Sequence, residues 1–161
     1  MNFKIVTADY SNAQHSHDIF SLLNDYALDP MGGGQALTDF AKKNLIKELL
    51  NINGAITILA YSHNKAVGLI NCFNGFSTFE CKPLLNIHDV VVLEEYRGHG
   101  LCQTMLNTVM AIAMERGCCK LTLEVLEGND AAKSAYSKFG FQAYELDPKT
   151  GKALFWQKKL G

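Results

Sequence analysis

What the cysteines lack is metal spacing: the five, at 72, 81, 102, 118 and 119, include no C-x-x-C pair and no histidines at ligand intervals. That excludes a cysteine-based metal site, and the odd number reads as reduced thiols of a cytosolic protein. The adjacent Cys118-Cys119 leaves two readings, a strained vicinal disulfide or a helix exit feeding a buried strand. His15-x-His17 reads as a solvated helix entrance, and no metal is expected. Basic clusters are missing as well. With 15 Lys and Arg against 16 Asp and Glu the formal net charge is −1, so nucleic acid is not an expected partner. Apolar runs fall far short of a bilayer span, and Met1-Asn2-Phe3-Lys4 lacks the apolar stretch of a signal peptide. No membrane partner and a cytoplasmic location are therefore expected. Internal repeats, low-complexity segments, the P-loop pattern and G-x-G-x-x-G are all lacking.

What remains suits one domain over 1–161, since 161 residues with 48% apolar content can bury a sizeable core. Phe3 to Thr7 predicts a strand. Ser16 offers an N-cap for a helix with Ile19, Phe20, Leu22, Leu23 and Tyr26 on one face. Asp29-Pro30-Met31-Gly32-Gly33-Gly34 breaks it through a mobile connection, and Leu37 to Leu49 predicts a second helix. Ala55–Tyr61 and Ala66–Phe76 read as strands around a turn at Ser62–Lys65. Leu84 to Leu93 reads as a strand buried on both faces. Leu101, Met105, Leu106, Val109 and Ala113 form a helical stripe closed by Gly117. Leu121–Val125 follows as a strand, then a helix from Asn129 or Asp130 to Phe139, then two strands, Phe141–Leu146 and Ala153–Lys159.

The most informative stretch is Tyr96-Arg97-Gly98-His99-Gly100-Leu101-Cys102, a glycine-bearing turn between strand and helix. Such a turn leaves backbone N–H groups aimed at whatever sits on the helix N-terminus, usually phosphate. The arrangement Arg97-x-x-Gly100-x-Cys102 resembles the Arg/Gln-x-x-Gly-x-Gly/Ala signature of the GCN5-related N-acetyltransferases (GNAT), with Cys102 where that family has Gly or Ala. Downstream, Asn129, Ala132, Tyr136, Gly140 and Phe141 resemble the family's second signature, and Ile87 to Val92 resembles its central strand. Ile87-His88-Asp89 and Tyr96-Arg97-Gly98 are most similar to diamine acetyltransferases.

The resemblance implies an α/β (α+β) acyl-CoA N-acyltransferase fold, a mixed central sheet flanked by about four helices. It implies acetyl-CoA as cofactor, its pyrophosphate on Arg97, Gly98, His99, Gly100, Leu101, Cys102 and Gln103. It also implies a pantetheine arm paired to backbone of Val90, Val91 and Val92 beside a strand bulge, with Asn129 and Ala132 at the arm. Cys102, in the first turn of its helix, is expected to have a lowered thiol pKa. Tyr136 would be the general acid. A primary amine, with a pKa near ~10, must lose a proton before it attacks. His88 stands where diamine acetyltransferases have glutamate and is the leading base, with Asp89, Glu124 or a water in reserve. Acceptor choice falls to the first two helices, where Tyr26, Asp25 and Asp29 lie. The chain reads as an N-acetyltransferase of a small-molecule primary amine or an amino terminus, acting by direct attack in a ternary complex. A non-catalytic acyl-CoA-binding domain and a protein- or peptide-directed acetyltransferase stay open, and the family's habit implies a possible homodimer.

Overall fold

In a computed structural model describing residues 1–160, the run after Phe3 forms strand β1 (Lys4–Thr7) and helix α1 follows at Ala13–Leu28. The helix starts a turn earlier than Ser16 would place it. The Asn12 side chain accepts from the N–H groups of Gln14 (2.9 Å) and His15 (3.1 Å), satisfying two helix-end donors at once. Ser16 instead lies inside the helix and donates to the Tyr10 carbonyl (2.9 Å). After α1 the Asp29 carboxylate accepts from the Met31 N–H (2.8 Å) and caps a 3-10 turn, Pro30–Gly32. The Gly34 N–H returns to the Asp29 carbonyl (3.1 Å), so a hydrogen bond closes the turn at the triple glycine. Gly32 is obligatory there, because a Cβ would sit 1.9 Å from the Tyr26 carbonyl oxygen. Thr38 then caps α2 (Asp39–Asn51) through the Ala41 N–H (3.1 Å).

Strands β2 (Ile56–Ser62), β3 (Lys65–Ser77) and β4 (Lys82–Val92) form an antiparallel meander. Helix α3 (Leu101–Glu115) leads back to β5 (Leu121–Leu123), which pairs parallel to β4. The five-stranded mixed sheet has the order β1-β2-β3-β4-β5, as the family resemblance implied. Ile19, Leu22 and Leu23 of α1 and Leu49 of α2 pack with Leu59, Leu69 and Val91 on one face. On the opposite face Gly68 gives room to α3: a Cβ there would come within 3.0 Å of the Met105 methyl. Burial on both faces belongs to β2 and β3, where 56–60 and 67–72 are continuously buried, and not to β4, where His88 is exposed. Leu69, with no exposed surface, tests this core: Leu69→Ala is expected to lower unfolding free energy by about 2–5 kcal/mol in urea titration.

These elements make one compact unit, Met1–Leu123; a second begins at Glu124. The second holds α4 (Asp130–Phe139), capped by Asn129 through the Ala132 N–H (3.1 Å) and ended by Gly140 at φ +108°. The two strands expected after it do not form. Among the described residues this hairpin is reduced to one bridge, Glu145 with Lys152, plus an Ala153 N–H donating to the Tyr144 carbonyl (2.9 Å). Two strands without a third are marginal in water, and among the described residues this unit supplies no third. Among the described residues no helix is long and apolar enough to cross a membrane.

Candidate active site

Beyond β4 the chain makes a 3-10 turn at Glu94–Tyr96 and then passes through Gly98 and Gly100, both at φ +78°. A side chain is strained in that region, and both glycines look onto open space with nothing within 4 Å of a would-be Cβ. Gly100 is the N-cap of α3 and supplies no side-chain acceptor. The other three α-helices are capped by the side chains of Asn12, Thr38 and Asn129. The first turn of α3, Leu101, Cys102 and Gln103, thus has no side-chain cap, and a helix end of this kind can accept an anion. His99 is exposed in the loop between the glycines. Arg97 is tied back: its Nε donates to the Val92 carbonyl (3.0 Å) and its Nη2 lies 3.5 Å from Asp29. At that length and exposure the ion pair itself contributes little.

The strand feeding this turn has an open edge. The Leu93 N–H donates to the Val67 carbonyl (3.0 Å), toward β3. Antiparallel pairing turns successive residues to opposite edges, and the register runs unbroken from Val92 back to Asp89. The backbone groups of Val91 and Asp89 therefore face β3, while those of Val90 and Val92 face away. On that outer side the β5 ladder ends at Ile87–Leu123, leaving an edge able to accept an extended, amide-bearing chain. The β-bulge lies at His88 rather than at Val90–Val92: Asn71 pairs with Asp89 and Cys72 with Ile87, so His88 is the additional residue.

The bulge determines what the site contains. Neighbours on a regular strand point to opposite faces, whereas here His88 and Asp89 both line one cavity of about 390 Å³. The cavity is formed between β3, β4 and the first two helices, with Leu23, Tyr26 and Ala27 from α1 and Ala41, Leu45, Glu48 and Leu49 from α2. The His88 ring stands edge-on to Phe73 at 5.5 Å. Burial pushes the Tyr26 phenol up, and the charges of Asp89 and Asp29 push the same way.

Of the expected acceptor residues, Tyr26 lines this cavity. Asp25 is exposed and Asp29 serves the turn and Arg97; neither is among the lining residues. Glu124 is exposed just after β5. Asn71, Phe73 and Glu48 were not anticipated, although Asn71 could have been found as the polar residue within the run Val67–Phe73. In the second unit Asn129 acts as the cap of α4, Ala132 supplies the capped amide, and Tyr136 meets Phe141 edge-on at 6.0 Å.

Cys102 reverses an expectation. Burial pushes its thiol up rather than down. It should therefore alkylate more slowly than exposed Cys81 at neutral pH, and added coenzyme A should slow it further; peptide mass spectrometry would read both. A Cys102 rate equal to that of Cys81 and unmoved by coenzyme A would remove it from the site.

A family model described as "Acetyltransferase (GNAT) family" matches residues 17–141. An uncharacterized N-acetyltransferase of Archaeoglobus fulgidus is 33% identical over 96 residues, covering 59% of this chain and 65% of its own length. A thialysine N-epsilon-acetyltransferase of Bos taurus is 36% identical over 67 residues, covering 42% of this chain and 39% of its own. The chain thus spans less than two thirds of the length of these curated relatives. A solved aminoglycoside acetyltransferase from an uncultured soil metagenomic sample superposes with a TM-score of 0.76 at 19% identity, covering 98% of this chain and 97% of that one, a likeness of fold.

Proposed function

This chain belongs to the acetyltransferase (GNAT) family, and from that premise we propose that it transfers acetyl from acetyl-CoA to a primary amine of a small molecule or an amino terminus. Transfer is by direct attack with both substrates bound. The observation that carries this reading is the α3 N-terminus without a side-chain cap, set just after a strand whose outer edge is open at Val90, the Val92 carbonyl already accepting from Arg97. Acetyl-CoA would supply an acetyl group already activated as a thioester. The residues fitted to hold it are Gly98, His99, Gly100, Leu101, Cys102 and Gln103 at the anion-binding turn, the outward-facing backbone of Val90 and Val92 but not that of Val91, which is turned to β3, and, by the resemblance, Asn129 and Ala132. Arg97 shapes the turn through its bond to Val92.

The chain's own groups handle the protons. The His88 imidazole takes one from the acceptor ammonium, directly or through water, because it is exposed on the bulge and lines the cavity. By the resemblance, the Tyr136 phenol would give one to the departing sulfur. The transfer would balance, with the amine nitrogen joined to the acetyl carbon in place of sulfur, one proton lost from nitrogen to His88 and one supplied to sulfur by Tyr136. His88→Ala should abolish the acid limb of the rate profile, and His88→Glu should restore part of the rate with the limb at lower pH. An unaltered limb in His88→Ala would pass the base role to Asp89, Glu124 or water.

Thiol release from acetyl-CoA against a panel of amines, amino acids and peptides tests the reaction. Acetylated product is the expected outcome. A cofactor-dependent rise in melting temperature without release on any acceptor would leave a non-catalytic acyl-CoA-binding domain.

A further inference from the structure

We propose that the cavity beside the β4 bulge takes a primary amine on an apolar arm, its ammonium seated on an Asp89 carboxylate that Asn71 aims and Thr57 and Tyr10 hold in place. This rests on the acetyl-transfer reading above and names the acceptor class for it.

Hydrogen-bond directions fix the arrangement. Asn71 Nδ2 lies 2.9 Å from Asp89 Oδ2. An ionised carboxylate only accepts, so the amide must turn its NH2 to Asp89 and its oxygen to Thr57. The Thr57 hydroxyl then donates to Asn71 Oδ1 (2.6 Å). That proton being spent, Tyr10 must donate to Thr57 Oγ1 across 2.9 Å. Every donor in the chain points toward Asp89. Asn71 and Thr57 are 2% and 1% exposed, so neither can exchange its partner for water without opening the sheet. Among the described residues Asp89 Oδ1 makes no hydrogen bond with the protein, which leaves it for a ligand.

The surroundings select what that ligand is. Apolar side chains, Leu23, Leu37, Leu45, Leu49, Ile52 and Phe73 among them, make most of the cavity wall. The other acid on the lining, Glu48, is exposed. One positioned carboxylate within apolar walls matches one cationic head on an alkyl or aryl arm. A polyamine would leave further ammonium groups against leucine, and an aminosugar would leave hydroxyls there, each without a partner.

The test is calorimetric binding without acetyl-CoA, so that it stands apart from transfer. 2-Phenylethylamine and hexylamine should bind at least about tenfold tighter than spermidine or an aminoglycoside. Asp89→Asn should weaken the monoamines about ten- to hundredfold. Thr57→Val frees Asn71 to rotate and should weaken them a few-fold; in turnover it should raise the amine KM with kcat and the acetyl-CoA KM held. Tyr10→Phe, a milder change at the far end, should repeat the effect in smaller measure if Thr57→Val does not fold. Monoamine binding that Asp89→Asn loses, with no thiol release from the wild type, would overturn the transfer reading and keep this site. Tighter spermidine binding, or equal monoamine affinity in Asp89→Asn, would overturn this inference whatever the transfer assay shows.

Discussion

Tyr136→Phe is expected to lower turnover about 10²-fold or more while acetyl-CoA still raises the melting temperature as it does in the wild type. The substitution retains the ring that meets Phe141 edge-on at 6.0 Å, so the packing around it is kept and one proton is deleted. Without that proton the sulfur must leave as a thiolate or draw on water. The expected signature is a fall in kcat and in kcat/KM together, with the cofactor's own KM held. Turnover equal to the wild type would remove Tyr136 from the chemistry and leave it as an aromatic contact of α4.

Gly100→Val is expected to erase the rise in melting temperature that acetyl-CoA produces. At saturation that rise reflects about 2.7 kcal/mol when ligand stands at 100 times its Kd, and the valine would remove it in two ways. Its branched side chain would fill the open space in front of the α3 amides, and a residue with a Cβ at φ +78° is strained by about 1–2 kcal/mol. Strain alone would also destabilise the free protein, so a matched control is needed. Gly117, at the other end of α3, has φ +69° and equally open surroundings. Gly117→Val should cost similar stability yet keep the cofactor-dependent rise. If both variants keep it, the turn does not bind acetyl-CoA.

The turn was readable because its chemistry is local: two glycines, a preceding apolar strand and a following apolar stripe specify strand, loop and helix without distant information. The bulge was not, because it is an offset between two strands and leaves no mark on the run Ile87–Val92, whose residues suit either register. That offset brings His88 and Asp89 to one cavity, so the sequence named both residues but could not show that they act together. Asn12 lay one turn before Ser16 and caps better because its oxygen reaches two amides. Phe141–Leu146 and Ala153–Lys159 have strand composition, yet composition does not supply a partner, and among the described residues only Glu145 and Lys152 pair. The Cys102 thiol depended on how deeply the first turn of α3 packs, which periodicity leaves open.

The most direct measurement is a coupled assay in which thiol released from acetyl-CoA is counted and the amine product is weighed by mass spectrometry, with 2-phenylethylamine as first acceptor. The account predicts one acetylated amine per thiol released, turnover that saturates in both substrates, and loss of both signals together in Tyr136→Phe. Thiol release without acetylated amine, or an unshifted melting curve and no product with any acceptor, would contradict it.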